Sequence, residues 1–174
     1  DVILIKPTAY GDERGYFVET FKQDLFNVSV GYQINFIQDN ESKSIKGVLR
    51  GLHYQLPPYT QAKLVRVIDG VVLDVAVDIR TYSPTFGQYV AVELSSKNMH
   101  QLFVPRGFAH GFVVISESAI FSYKVDNYYS PEHERGIIFN DAELNIDWHL
   151  PEQELKISEK DLHLPGFSEL ISLD

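Results

Sequence analysis

Turn residues cut this chain into short extended runs, and that punctuation limits what it can fold into. Residues 2–5, 16–21, 88–94, 101–104, 112–115 and 119–125 read as strands, set apart by turn clusters at 11–15, 82–87 and 95–100. Almost everything from Gly47 to Arg80 is extended in character, and residues 137–139 add a late apolar run. Within residues 71–78, alternation puts Val71, Leu73, Val75 and Val77 on one face and Asp74 and Asp78 on the other, a strand with one apolar side. Early helical potential is confined to residues 22–32, the polar block 38–42 reads as a turn, and the stretch from Trp148 to Asp174 offers short helical turns at best. No heptad or long helical repeat is sustained. The expected fold is therefore all-β, an antiparallel jelly-roll sandwich or barrel with a few short helices. With 174 residues, 44% of them hydrophobic, one domain over residues 1–174 with a real core is expected.

Composition then removes whole classes of function. The chain has no Cys, which excludes disulfides, thiolate nucleophiles and zinc ribbons, so a metal would have to use His and carboxylate. A net charge of -9 with no basic run argues against nucleic acid, while a small anion could still bind a local cluster of cations. No apolar run approaches the roughly twenty residues that span a bilayer, no secretory leader is visible, and cytoplasm is the expected compartment.

One stretch gathers chemistry. Arg50-Gly51-Leu52-His53-Tyr54-Gln55, continued by Lys63-Leu64-Val65-Arg66-Val67, sets a permanent cation, an imidazole and a primary amine on strand-like sequence. The grouping suggests an anionic ligand and a proton to be moved; the competing reading is a strand histidine with a satisfied ring among solvated cations. Strict alternation puts His53 with Leu49, Gly51 and Gln55 and turns Arg50 the other way. Both reach one pocket only if the strand bulges or ends near Gly51. Tyr123 alternates with Ala119, Phe121 and Val125 and points inward, as a core tyrosine or as a proton donor, while Lys124 points out.

Residues Pro105-Arg106-Gly107-Phe108-Ala109-His110 resemble one half of a metal-binding cupin pattern. The other half should read His-x-His followed by Glu, and here it is His53-Tyr54-Gln55 with no Glu before Arg66, a poor cage for a divalent ion. Acid–base work suits the inventory better: His53 as base, Lys63 as donor to a carbonyl oxygen becoming an enolate, and a tyrosine returning a proton from the other side.

Seven motifs occur in order: Asp12-Glu13-Arg14-Gly15-Tyr16-Phe17-Val18-Glu19, Gln38-Asp39-Asn40, Gly47-Val48-Leu49-Arg50-Gly51-Leu52-His53-Tyr54-Gln55, Lys63-Leu64-Val65-Arg66-Val67, Asp74-Val75-Ala76-Val77-Asp78, Val104-Pro105-Arg106-Gly107-Phe108-Ala109-His110-Gly111-Phe112 and Ser158-Glu159-Lys160-Asp161. On these, from about Asp12 to about Leu164, the chain resembles the dTDP-4-dehydrorhamnose 3,5-epimerase family. The resemblance implies a cupin-like jelly-roll homodimer that needs no cofactor or metal and acts on dTDP-4-dehydro-6-deoxy-D-glucose in dTDP-L-rhamnose biosynthesis. A relative inverting only C3 of a related dTDP-4-keto sugar is the nearest alternative; a metal-dependent cupin oxygenase and a noncatalytic sugar-nucleotide-binding jelly roll are the more distant ones. By the same resemblance His53 is the base, paired with Asp161, and Tyr123 the acid on the opposite face of the sugar. Lys63 stabilises the C4 enolate and His110 lines the sugar site. Arg50 holds the diphosphate, and Arg14, Glu19, Gln38, Asp39 and Asn40 contact the nucleotide, the N-terminal ones from a partner subunit. Tyr129, Glu134 and Lys160 complete the implied substrate contacts. The chain departs from family habit at Glu41, at Phe139 where Trp is common, and at His149, where Pro usually follows the equivalent of Trp148.

Overall fold

Residues 1–171 and 173 are described by the structure, a computed structural model, and alternation along their strands sorts the apolar side chains into three layers. The order of elements is β1 (Ile3–Ile5), β2 (Ala9–Asp12), β3 (Gly15–Val18), α1 (Gln23–Val30), β4 (Gln38–Ile45), β5 (Val48–Gln55), β6 (Lys63–Asp69), β7 (Val71–Asp78), β8 (Tyr89–Ser95), β9 (Gln101–Val104), β10 (Phe108–Val114), β11 (Ser118–Val125), β12 (Glu134–Gly136), β13 (Lys156–Ile157) and α2 (Glu159–Leu162). One sheet runs β1-β9-β6-β11-β4 and a second β12-β5-β10-β7-β8, with β2 and β3 forming a separate hairpin. All described pairings are antiparallel except β13, which lies parallel to β5. The expected antiparallel β fold with few short helices is present, as two open sheets and not a closed barrel. No helix among the described residues is long and apolar enough to cross a membrane.

Val65, Val72, Ala76, Leu102, Phe112 and Phe121 fill the space between the sheets. On the outer face of the second sheet, Leu49, Leu52, Leu73, Val75 and Val77 are covered by Ile137, Phe139, Leu144, Trp148 and Phe167 from the C-terminal third. On the outer face of the first, Phe26 and Ile34 cover Leu64 and Phe103. Strand β7 is thus buried on both faces, and the half-exposed strand expected from its alternation gives way to one whose Asp74 and Asp78 are both inside. Asp78 is satisfied there by Arg80, Ser83 and Thr85.

Boundaries differ from the sequence expectation in several places. The polar block at 38–42 is strand, because β4 pairs with β11 along its whole length, from Val125 opposite Gln38 to Ser118 opposite Ile45; a full ladder outweighs local turn preference. Strand β10 starts at Phe108, since β7 pairs with it residue for residue from that point. The turn expected at 11–15 narrows to Glu13 and Arg14, its flanks being paired as β2 and β3. Short helical turns do occur at Glu152–Glu154, in α2 and at Phe167–Glu169, while Ser172 and Asp174 at the end of that expected stretch lie outside the described residues. His149 has φ +59°, a conformation closed to proline.

Candidate active site

The site starts from an extra residue in β5. Opposite β10, His53 pairs with His110 and Arg50 with Phe112, so three steps of β5 span two of its partner. The expected bulge at Gly51 is present. Gly51 has φ +123°, and a Cβ there would lie 2.6 Å from Gly111 Cα and 2.7 Å from the His110 carbonyl oxygen, so only glycine fits. The extra residue reverses side-chain parity. Leu49, Leu52 and Tyr54 enter the layer under Trp148, while Arg50 and His53 turn together into the space between the sheets.

The second partner arrives from far along the chain. Strand β13 pairs with β5 at Val48 and Leu49 and so carries α2 over the bulge, where Ser158 caps the helix by accepting from the Asp161 amide at 3.2 Å. Asp161 Oδ1 accepts from His53 Nε2 at 2.7 Å, and Oδ2 accepts from the Gly51 amide at 3.2 Å. Burial would raise the Asp161 carboxyl, but the hydrogen bond and charge of His53, the Gly51 amide and Lys160 outweigh it and hold the group below the usual carboxylate range. The contact fixes the imidazole ring and leaves Nδ1 as its basic atom.

His53, Lys63 and Tyr123 line two adjoining cavities. One, of about 300 Å³, also takes in Gln38, Asn40, Gln55, Tyr129 and Glu134. The other, of about 500 Å³, also takes in Arg50, His110, Lys156 and Lys160. His53 comes from the second sheet and Tyr123 from the first, so imidazole and phenol approach the shared space from opposite walls. Lys63 stands opposite Val125 on the strand beside Tyr123, and burial lowers its amine to about 8, against the pull of Asp74 and Glu134. Burial raises the Tyr123 phenol; Arg50 works against that and Glu134 with it.

Arg50 is steadied by Ser44, whose Oγ accepts from Nε and Nη2 at 3.2 Å each. Lys160 forms an ion pair with Glu134, which also accepts from Tyr129 Oη at 2.8 Å. Buried His110 meets Asp74 through Nε2, at 2.9 and 3.0 Å from the two carboxylate oxygens. Burial pushes this imidazole down, with Asp74 opposing and Lys63 and His53 adding to the effect, so a neutral ring donates its Nε2 proton to Asp74. Sequence reasoning passes over Asp74. Its signal is a carboxylate in the middle of an apolar run, which has to find a partner once both faces are covered.

Three expected ligand residues are not brought to the cavities. Asp39 faces outward from β4, where it accepts from Lys124 at 2.9 Å, because alternation that turns Gln38 and Asn40 inward must turn it out. Arg14 pairs with Asp12 at the exposed tip of the β2–β3 hairpin, and Glu19 follows that hairpin. Among the described residues no three His, Asp or Glu come together in a group that could hold a metal ion.

The arrangement can take a proton from one face of a bound molecule, steady the negative charge left behind and deliver a proton from the other face. The family model described as dTDP-4-dehydrorhamnose 3,5-epimerase matches residues 1–169. A dTDP-4-dehydrorhamnose 3,5-epimerase of Shigella flexneri is 55% identical over 163 residues, which cover 94% of this chain and 89% of that protein. The crystal structure of the dTDP-4-dehydrorhamnose 3,5-epimerase of Elizabethkingia anophelis superposes with a TM-score of 0.94 at 52% identity, covering 97% of this chain and 92% of the other. A dTDP-6-deoxy-D-glucose-3,5-epimerase from Legionella pneumophila, solved in complex with dTDP-4-keto-L-rhamnose, matches with a TM-score of 0.94 at 50% identity, over 98% and 89% of the two chains.

Proposed function

Because this chain belongs to the dTDP-4-dehydrorhamnose 3,5-epimerase family, we propose that it is an isomerase that inverts C3 and C5 of dTDP-4-dehydro-6-deoxy-D-glucose, giving dTDP-4-dehydro-L-rhamnose. The observation that carries the reading is the His53–Asp161 pair facing Tyr123 across a cavity that also holds Lys63. The C4 ketone makes the hydrogens at C3 and C5 removable only if the enolate oxygen is stabilised as it forms, and a preorganised donor does this for several kcal/mol. Lys63 is that donor. His53 Nδ1 takes the proton, Asp161 stabilises the resulting imidazolium, and Tyr123 returns a proton from the opposite face. Arg50 and Lys160 bind the diphosphate, and His110 lines the sugar pocket. The chain acts as one domain and as a homodimer in the cytoplasm; the exposed Tyr10, Tyr16 and Phe17 of the β2–β3 hairpin support docking on a second copy, to which Arg14 and Glu19 are then presented.

The test is incubation of chelator-treated protein with the keto sugar nucleotide in D₂O, with a reductase to trap the product. Deuterium at C3 and C5 with an L-rhamno product is expected. Deuterium at C3 alone would make this a single-centre epimerase, and none at either carbon would end the epimerase reading.

A further inference from the structure

Asn40 stands directly across the β4–β11 ladder from Tyr123, and Gln38 directly across from Val125. Opposed side chains on one face of an antiparallel pair have Cβ atoms about 5 Å apart, so amide and phenol share the cavity wall that both residues line. The Asn40 amide has a fixed orientation. Gln38 Nε2 donates to its Oδ1 at 2.9 Å, which leaves Nδ2 as the Asn40 donor, and a hydrogen bond from the Asn40 side chain favours the charged form of Tyr123. Phe121, 5.9 Å from the Tyr123 ring centroid, supports the phenol from the core side.

We propose that Asn40, oriented by Gln38, is a positioning residue for Tyr123: by donating to the phenolic oxygen it aims the phenol's own proton into the cavity and stabilises the phenolate left after transfer. Its catalytic consequence rests on the epimerase reading above. The two amides otherwise expected on the nucleotide then serve the acid. The donor from Asn40 favours the phenolate, as does Arg50 from β5, against burial and against Glu134 from β12; Glu41, His53, Tyr54, Lys63, His110, Tyr129, Lys156, Lys160 and Asp161 are the other titratable groups that line the two cavities.

The experiment uses protein carrying ¹³Cζ-labelled tyrosine, with the Tyr123 signal assigned from Tyr123→Phe, in wild type, Asn40→Ala and the isosteric Asn40→Asp. The Tyr123 midpoint is expected to rise by about one pH unit in Asn40→Ala, since a donor to the charged form is lost, and further in Asn40→Asp, where a carboxylate replaces it. In the epimerase assay kcat is expected to fall about tenfold in Asn40→Ala with KM little changed, the pattern of an interaction made in the transition state. An unchanged midpoint in both folded variants would overturn the proposal, as would a raised KM with kcat intact, which is the signature of a nucleotide contact. A wild type without turnover would sink the epimerase reading alone, and the titration would still decide where Asn40 points.

Discussion

Replacing Lys63 by Met should make the protein more stable and less active. Burial lowers the Lys63 amine from 10.5 to about 8, and at about 1.36 kcal/mol per pH unit the fold disfavours the ammonium by roughly 3 kcal/mol relative to the unfolded chain. Partial access to solvent at the cavity wall reduces that figure, to about 2 kcal/mol. The sign follows from the direction of the shift. Because the folded value lies below the unfolded one, the unfolded chain binds more protons at this site between about pH 8 and 10.5, so the Lys63 contribution to wild-type stability rises with pH across that window. At pH 7 the amine is charged in both states and the full penalty is present. Met keeps most of the stem volume without the charge, so Lys63→Met should unfold about 2 kcal/mol later than wild type at pH 7, with a gap that closes as pH approaches 10.5. Losing one donor to the enolate oxygen should cost about 10²–10³ in kcat. Urea unfolding of both proteins at pH 7 and pH 10, alongside turnover, checks this. A Met variant that is less stable at pH 7, or a gap that does not narrow with pH, would refute the reasoning.

Asp161→Asn should lower kcat by about 10²–10⁴ while the fold persists, since the imidazolium loses its carboxylate; near-normal kcat would mean His53 works alone. The Asp161 carboxyl, held below 3.8, contributes stability that is present above that value and is lost as pH falls through the folded one. Acid unfolding should therefore be steeper in wild type than in Asp161→Asn, and equal slopes would remove the group from the account. Gly51→Ala should cost about 3 kcal/mol or more by denaturant titration, because its Cβ meets backbone at 2.6 Å in a left-handed conformation; a loss under about 1 kcal/mol would argue against the bulge. Arg50→Ala should raise KM about tenfold or more with kcat largely kept, and an unchanged KM would place the diphosphate elsewhere.

Much of the framework is legible because alternation and turn chemistry are local. The strand Gln101–Val104 and the inward aim of Tyr123 opposite an outward Lys124 follow from period-two patterning alone. Even the conflict of parity between Arg50 and His53 points to its own solution, a bulge at the one glycine between them. What local pattern misses depends on partners distant in sequence. The block Gln38–Ser42 is strand only because β11 pairs with it, and Asp74 reads as a solvent-facing residue until the first sheet closes over the inner face of β7. The placement of Asp39, Arg14 and Glu19 differs in kind: the ordered motifs identify them, but strand parity turns Asp39 away and the hairpin carries Arg14 clear of the cavity.

Asp161, the proposed partner of the base, lies 108 residues after His53, on a segment brought beside β5 by the short parallel strand β13. A chain still emerging from the ribosome at residue 150 therefore carries its imidazole and phenol without the carboxylate that His53 meets in the finished fold. A chain cut off before Asp161 is expected to show the same loss of kcat as Asp161→Asn, about 10²–10⁴, whatever it has already folded.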